Sequence, residues 1–328
     1  MNKSATKNQK NKSRIVLGRD IGVLIAAILI AVFFTIASPV FLTAYNFFNL
    51  LRQTAQLGII AMAMTMLIIS GEFDLSVGAI YAVTGVVTGI LVKNMGINIW
   101  PAALIGFLTA LLLGFVNGTL ISTTKINSFI GTLSTQMIFR GIAMVLSQGQ
   151  PISFLQSSIF FDAFGRAELF GNIPVQIFWL LAWTLISFYL LHRTSFGVKV
   201  FATGDNRLAA DLSGIKTMRI KKTCFMITSA AAGLSSLISL AFLKTVTPTQ
   251  GSGLELEAIA AGVIGGTSMS GGVGSILGTF IGTFIMAEVR TGLVLMGTDA
   301  YVQDAFVGLV IALAVIINVR FSISKDRT

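Results

Sequence analysis

Apolar residues run almost unbroken from Ile21 to Asn318, divided by short polar punctuation into stretches of membrane-crossing length. A hydrocarbon core of roughly 30 Å takes about 20 apolar helical residues per crossing. Within lipid every backbone N–H and C=O needs an internal partner, so such runs cross as helices. The pattern predicts ten crossings: Ile21–Ala37, Leu57–Ser70, Val77–Val92, Ile99–Ile121, Phe129–Leu146, Val175–Leu191, Thr223–Leu243, Ile259–Met269, Gly274–Val289 and Val302–Asn318. The expected fold is an all-α membrane protein, a polytopic bundle of about ten transmembrane helices with broken or re-entrant segments.

Composition agrees, with 54% hydrophobic and 11% charged residues and a mean hydropathy of +0.85. The formal charge of +10 raises nucleic acid as a partner, but its distribution argues for topology instead. With the N-terminus inside, seventeen Lys/Arg fall on the cytoplasmic side: the six before Ile21, Lys125, Arg193, Lys199, Arg207, Lys216, Arg219, Lys221, Lys222, Arg320, Lys325 and Arg327. Five fall outside, namely Arg52, Lys93, Arg166, Lys244 and Arg290, and Arg140 lies within a crossing. That asymmetry is the one expected of a correctly oriented chain. It places both termini in the cytoplasm of a multi-pass protein of the cell membrane (the inner membrane of a Gram-negative cell). Residues 1–19 read as a disordered basic cytoplasmic tail, 20–319 as the membrane domain and 320–328 as a second tail. A cleaved signal peptide is disfavoured, because the first apolar run is too long and Pro39-Val40-Phe41 follows it.

Soluble-enzyme machinery is missing. The richest glycine stretch, Gly271 to Thr279, lacks the lysine of a phosphate-binding loop. One cysteine (Cys224) and one histidine (His192) exclude an internal disulfide and a Cys/His metal cluster. No catalytic residue, metal or cofactor is expected, and energy must come from another polypeptide or an ion gradient. Small residues recur at four-residue spacing in Gly85/Gly89, Gly114/Gly118 and Gly274/Gly278/Gly282, which lets helix backbones approach closely.

Three interruptions carry the candidate chemistry. Ser70 to Gly78 breaks one run and starts the next; Asp74 there either caps the following helix or marks a break on a permeation path. Gly251 to Ala261, with Glu255 and Glu257, reads as a short helix between glycine-rich breaks. The connection 192–222 is too polar to insert. Within it, Gly204 to Ile215 reads as a short helix with Asp205 or Asn206 as N-cap and Gly214 as its left-handed stop. This helix is either a docking element for a soluble partner or a solvated loop whose charges set topology.

The same segments resemble the permease subunits of ribose-type ATP-binding-cassette importers, within the branched-chain amino acid/ribose permease superfamily. The likeness runs from Ala55 to Val319 through Asp74-Leu75-Ser76-Val77-Gly78, Asn117-Gly118, Phe129-Ile130-Gly131-Thr132-Leu133 and Arg140-Gly141. It continues with Thr194-Ser195-Phe196-Gly197, the Gly204–Ile215 segment, and Glu255 through Ala258-Ile259-Ala260-Ala261 to Ile264-Gly265-Gly266-Thr267-Ser268. The resemblance implies a non-catalytic permease for a monosaccharide such as ribose, acting by alternating access. Implied partners are a cytoplasmic ATPase, an extracytoplasmic sugar-binding protein, a second permease subunit, like or related, and membrane lipid, with no nucleic acid. Carried onto this chain, Gly204, Asn206, Ala209, Ala210, Leu212, Gly214 and Ile215 form the element that couples to the ATPase. Candidate residues of the substrate pathway are Glu72, Asp74, Asn117, Asn127, Thr132 and Glu255. Glu72, Phe73, Val198 and Asp205 depart from the family pattern, and Glu72 points to a substrate other than ribose. Rival readings are a permease of the same superfamily for branched-chain amino acids, nucleosides or an autoinducer-type sugar, an ion-driven carrier, and an intramembrane enzyme.

Overall fold

In a computed structural model, residues 21–325 are described, and helices form where the apolar runs lie. In chain order they are α1 (Ile21–Ala37), α2 (Ala44–Ile69), α3 (Val77–Lys93), α4 (Ile99–Thr124), α5 (Ser128–Ser147), α6 (Ile159–Phe161) and α7 (Val175–Arg193). Then follow α8 (Ser195–Asp205), α9 (Arg207–Leu212), α10 (Thr217–Leu243), α11 (Leu254–Ile264), α12 (Ile276–Leu295) and α13 (Ala300–Lys325). Two antiparallel pairs of two-residue strands brace the connections: β1 (Ile152–Ser153) with β4 (Thr245–Val246), and β2 (Glu168–Leu169) with β3 (Ile173–Pro174).

Thirteen α-helices lie among the described residues, more than the about ten transmembrane helices expected. Each expected crossing has a counterpart, and α6, α8 and α9 are additional short helices in the connections. Among the described residues, six helices (α2, α4, α5, α7, α10 and α12) are long and apolar enough to cross a membrane, while α1 and α3 are apolar but shorter.

Boundaries moved wherever a charge hid a helix. α2 starts at Ala44 rather than Leu57, because Arg52 is accommodated: it donates to Asn49 Oδ1 (2.8 Å) and lies 4.6 Å over the Phe242 ring. α10 starts at Thr217, with Lys222 stacked 3.5 Å over the Phe115 ring of α4. α12 runs on to Leu295 because Arg290 pairs with Glu257 of α11 (3.0 Å) and Asp304 of α13 (3.5 Å). α11 occupies 254–264 instead of 259–269, stopped by Gly265 and by Gly266 at φ +88°. The helix α13 continues through 320–325, where a tail was expected. The basic segment 1–19 and residues 326–328 lie outside the described residues.

The core is built around α2. A helix with no polar face suits a protein core or a membrane span, and in α2 every residue from Leu57 to Ile69 is buried within the protein. Around it pack α7, α10, α11 and α12. Peripheral helices turn large apolar side chains outward: Leu108 and Leu112 on α4, Met137 and Val145 on α5, Leu185 and Tyr189 on α7. Such a surface suits hydrocarbon or a partner helix rather than water. Of the small-residue pairs, Gly114 and Gly118 sit against α10; a Cβ at Gly118 would lie 3.0 Å from the Lys222 Cα. At the other end of the bundle, Trp100, Phe160, Phe164 and Trp179 stack edge and face, and the Trp179 indole donates to Ala163 O (3.0 Å). Aromatic groups with one polar atom are suited to a membrane interface.

Candidate functional site

Three polar segments converge at one end of the bundle. The α2–α3 break leaves Ile69 through Gly71, whose φ of +87° suits glycine. The Gly272 N–H donates to Ile69 O (2.9 Å), tying the α11–α12 connection to the end of α2. Gly204 of α8 fits so closely here that any Cβ would collide with Ile69 O and the Gly272 backbone. The polar connection therefore rests directly on the terminus of the central helix.

That connection is shorter than the expected 192–222, since α7 extends to Arg193 and α10 begins at Thr217. It folds as two helices, with Asp205 closing α8 and Asn206 capping α9 through an Oδ1 that accepts from the Ala209 N–H (3.0 Å). Gly214 ends the segment at φ +82°, and the Ile215 N–H donates to Ala210 O (3.0 Å). The capped helix expected from the sequence is present, with Asn206 as its cap. Its residues divide by facing: Ala210 is buried, Gly204 and Ile215 are half-buried, and Asn206, Ala209, Leu212 and Gly214 are exposed. Leu208 joins Leu212 on the exposed side, at 72% and 82% exposure. Sequence reasoning missed Leu208, although two leucines four apart in a polar segment were the available signal.

The break itself is held from inside. Asp74 is fully buried, and its Oδ1 accepts from the Ser76 N–H (2.8 Å) and the Ser76 hydroxyl (2.6 Å). The N-cap of α3 is Ser76, without a side-chain cap bond, so Asp74 holds the residue before the helix in a local turn instead of capping α3 itself as expected. Asn117 of α4 donates to Ser76 Oγ (2.6 Å) and lies 3.5 Å from both Asp74 oxygens. Thr132 of α5 accepts from the Leu75 N–H (3.0 Å), and Ser128 accepts from the Phe73 N–H (3.1 Å). Two side chains of α5 therefore supply acceptors that this irregular backbone needs at depth, while Asn117 of α4 donates to the Ser76 hydroxyl.

The other pathway candidates lie elsewhere. Asn127 is exposed and caps α5, accepting from the Phe129 N–H (2.9 Å). Glu72 is engaged in an ion pair with the buried ammonium of Lys221. Glu255 is buried beside Gly78, accepting from Gln136 Nε2 (2.9 Å) and weakly from the Gly253 N–H (3.3 Å). One turn from Gln136 on α5, Arg140 donates to Pro248 O (2.8 Å) and Gln250 O (2.9 Å). The structure thus gathers Asp74, Asn117 and Thr132 into one network, sets Glu255 beside the next turn of α3, and turns Glu72 toward Lys221. Gln136, and the contacts of Arg140, escaped the sequence reading because their partners, Glu255 at the start of α11 and the Pro248 and Gln250 carbonyls before it, are over a hundred residues away.

Comparison with known proteins follows the same segments. A family model described as "branched-chain amino acid transport system / permease component" matches residues 46–315. The ribose import permease protein of Bacillus subtilis (strain 168) is 39% identical over 303 residues, covering 92% of each chain. The ribose import permease protein of Escherichia coli (strain K12) is 35% identical over 297 residues, covering 90% of this chain and 92% of that one. The D-allose transport system permease protein of Escherichia coli (strain K12) is 36% identical over 295 residues, covering 90% and 89%.

Proposed function

This chain belongs to the branched-chain amino acid transport system / permease component family, and on that footing we propose that it is the permease subunit of an ATP-binding-cassette importer of a monosaccharide. The relatives named for ribose and D-allose support the sugar, and they match this chain over nearly its whole length. The subunit is non-catalytic. It crosses the membrane about ten times, with α8 and α9 in the cytoplasm, where the basic residues crowd. It pairs with a second permease subunit, receives sugar from an extracytoplasmic binding protein and is driven by a cytoplasmic ATPase.

The observation that carries the coupling is the exposed leucine pair on α9, projecting from a segment whose Gly204 rests against the end of α2. An apolar pair on a capped, water-facing helix gains by burial in a partner groove. Movement of that helix reaches the bundle's central element through backbone contact, which links ATPase closure to alternating access. Residues of the Asp74–Asn117–Thr132 network and Glu255 remain the proposed polar stations along the route.

Competition for uptake tests the substrate class. In cells producing this chain with its ATPase and binding protein, excess unlabelled monosaccharide should reduce labelled-sugar uptake to background, while leucine and adenosine leave it unchanged. Displacement by leucine or adenosine instead would reassign the substrate within the family.

A further inference from the structure

Besides the coupling helix, the same end of the bundle holds a small cavity of about 50 Å³, bounded by α4, α9, α10 and the α2–α3 break. Its wall includes Lys125, Arg207 and Lys221, with one carboxylate, Glu72, and the hydroxyl-bearing Ser122. Water needs roughly 10–15 Å³ of such space, so the cavity has room for several water-sized groups, the bulk of a tetrahedral oxyanion.

The charges are unevenly answered. Lys221 is spent on Glu72. Arg207 has only a stretched contact with Asp211 (3.8 Å) and the weak acceptor Met218 Sδ (3.2 Å). The Lys125 ammonium has no acceptor among the described residues. Three cations against two carboxylates, Glu72 in the wall and Asp211 at the far edge of Arg207, leave an excess of one positive charge, the complement of a singly charged phosphate group. Lys125 is also held at φ +58°, a conformation that non-glycine residues rarely adopt. This geometry ends α4 with the ammonium-bearing residue at the cavity wall.

We propose that this cavity is a phosphate site, bridging α4 and α10 to the coupling helix through Lys125, Arg207 and Ser122. Its ligand is the phosphate group of a water-soluble monoester or inorganic phosphate, or that of a lipid headgroup. Bound there, phosphate ties α9 to the bundle and restrains the movement that the ATPase must drive. The restraining role rests on the permease reading above; the binding site does not.

Binding is therefore measured on the isolated permease. The protein is titrated with inorganic phosphate, against sodium chloride at matched ionic strength, and thermal unfolding is followed in detergent. Phosphate should raise the midpoint in a saturable manner and chloride should not. Lys125→Asn keeps a residue that tolerates positive φ while removing the charge. It should weaken phosphate binding about tenfold, as loss of one charge-assisted contact does, with no loss of the phosphate-free midpoint. Repeating the titration in nanodiscs of phosphatidylglycerol and of glycolipid separates the sources: competition confined to phosphatidylglycerol identifies the headgroup as occupant. An equal response to phosphate and chloride, or an unaltered affinity in Lys125→Asn, overturns the site. Transport slowed by phosphate in the complete complex, and relieved in Lys125→Asn, would establish the restraint; unaltered transport would remove that role and leave the binding intact.

Discussion

Replacing Leu208 and Leu212 together with Asp should abolish association with the ATPase while the permease still inserts and unfolds at its usual temperature. Both side chains are largely exposed in the isolated chain, so their loss costs little folding stability. In a docked complex each buried leucine contributes about 1.5–3 kcal/mol. Deleting two, and asking two carboxylates to leave water, weakens the complex at least about a hundredfold. Co-purification of a tagged ATPase with the variant measures this, and uptake should fall in parallel. Ala210→Leu makes the contrast: Ala210 is the buried residue of α9, so the larger side chain should lower the unfolding temperature through overpacking. Retained ATPase binding in the double Asp variant would show that the leucines are merely solvent-facing.

The second large effect belongs to Glu72 and Lys221, whose side chains are only 13% and 10% exposed. Breaking a buried pair from one side strands the other charge and costs about 3–5 kcal/mol. Lys221→Met should therefore destabilise strongly in thermal unfolding. Adding Glu72→Gln should restore most of the loss, because the stranded carboxylate is gone. A single-variant loss below about 1 kcal/mol, the range of a surface pair, would mean that water screens the site. The pairing also gives Glu72 a role inside the chain, independent of which solute passes.

How much was legible before the structure follows from what each residue needs. Unbroken apolar runs such as 57–69 admit one solution in lipid, and the helices appeared there. The cap at Asn206 and the stop at Gly214 were legible because their partners lie within a few residues. Helix ends containing Arg52, Lys221 and Arg290 were misplaced, since each charge is answered by a residue remote in sequence: the Phe242 ring, Glu72, and Glu257. Asp74 was expected as a cap but lies two residues before it, bound to the N-cap residue Ser76. That turn is fixed from helices remote in sequence, by Asn117 of α4 on Ser76 and Thr132 of α5 on the Leu75 N–H. The facing of α9 was equally hidden, because only packing distinguishes buried Ala210 from exposed Leu208 and Leu212.

The most direct test reconstitutes the permease in proteoliposomes with its ATPase and binding protein and follows labelled sugar. Uptake should require ATP and cease with a hydrolysis-deficient ATPase, whatever ion gradient is imposed. Sugar accumulation by the permease alone, driven by a proton or sodium gradient, would contradict the account.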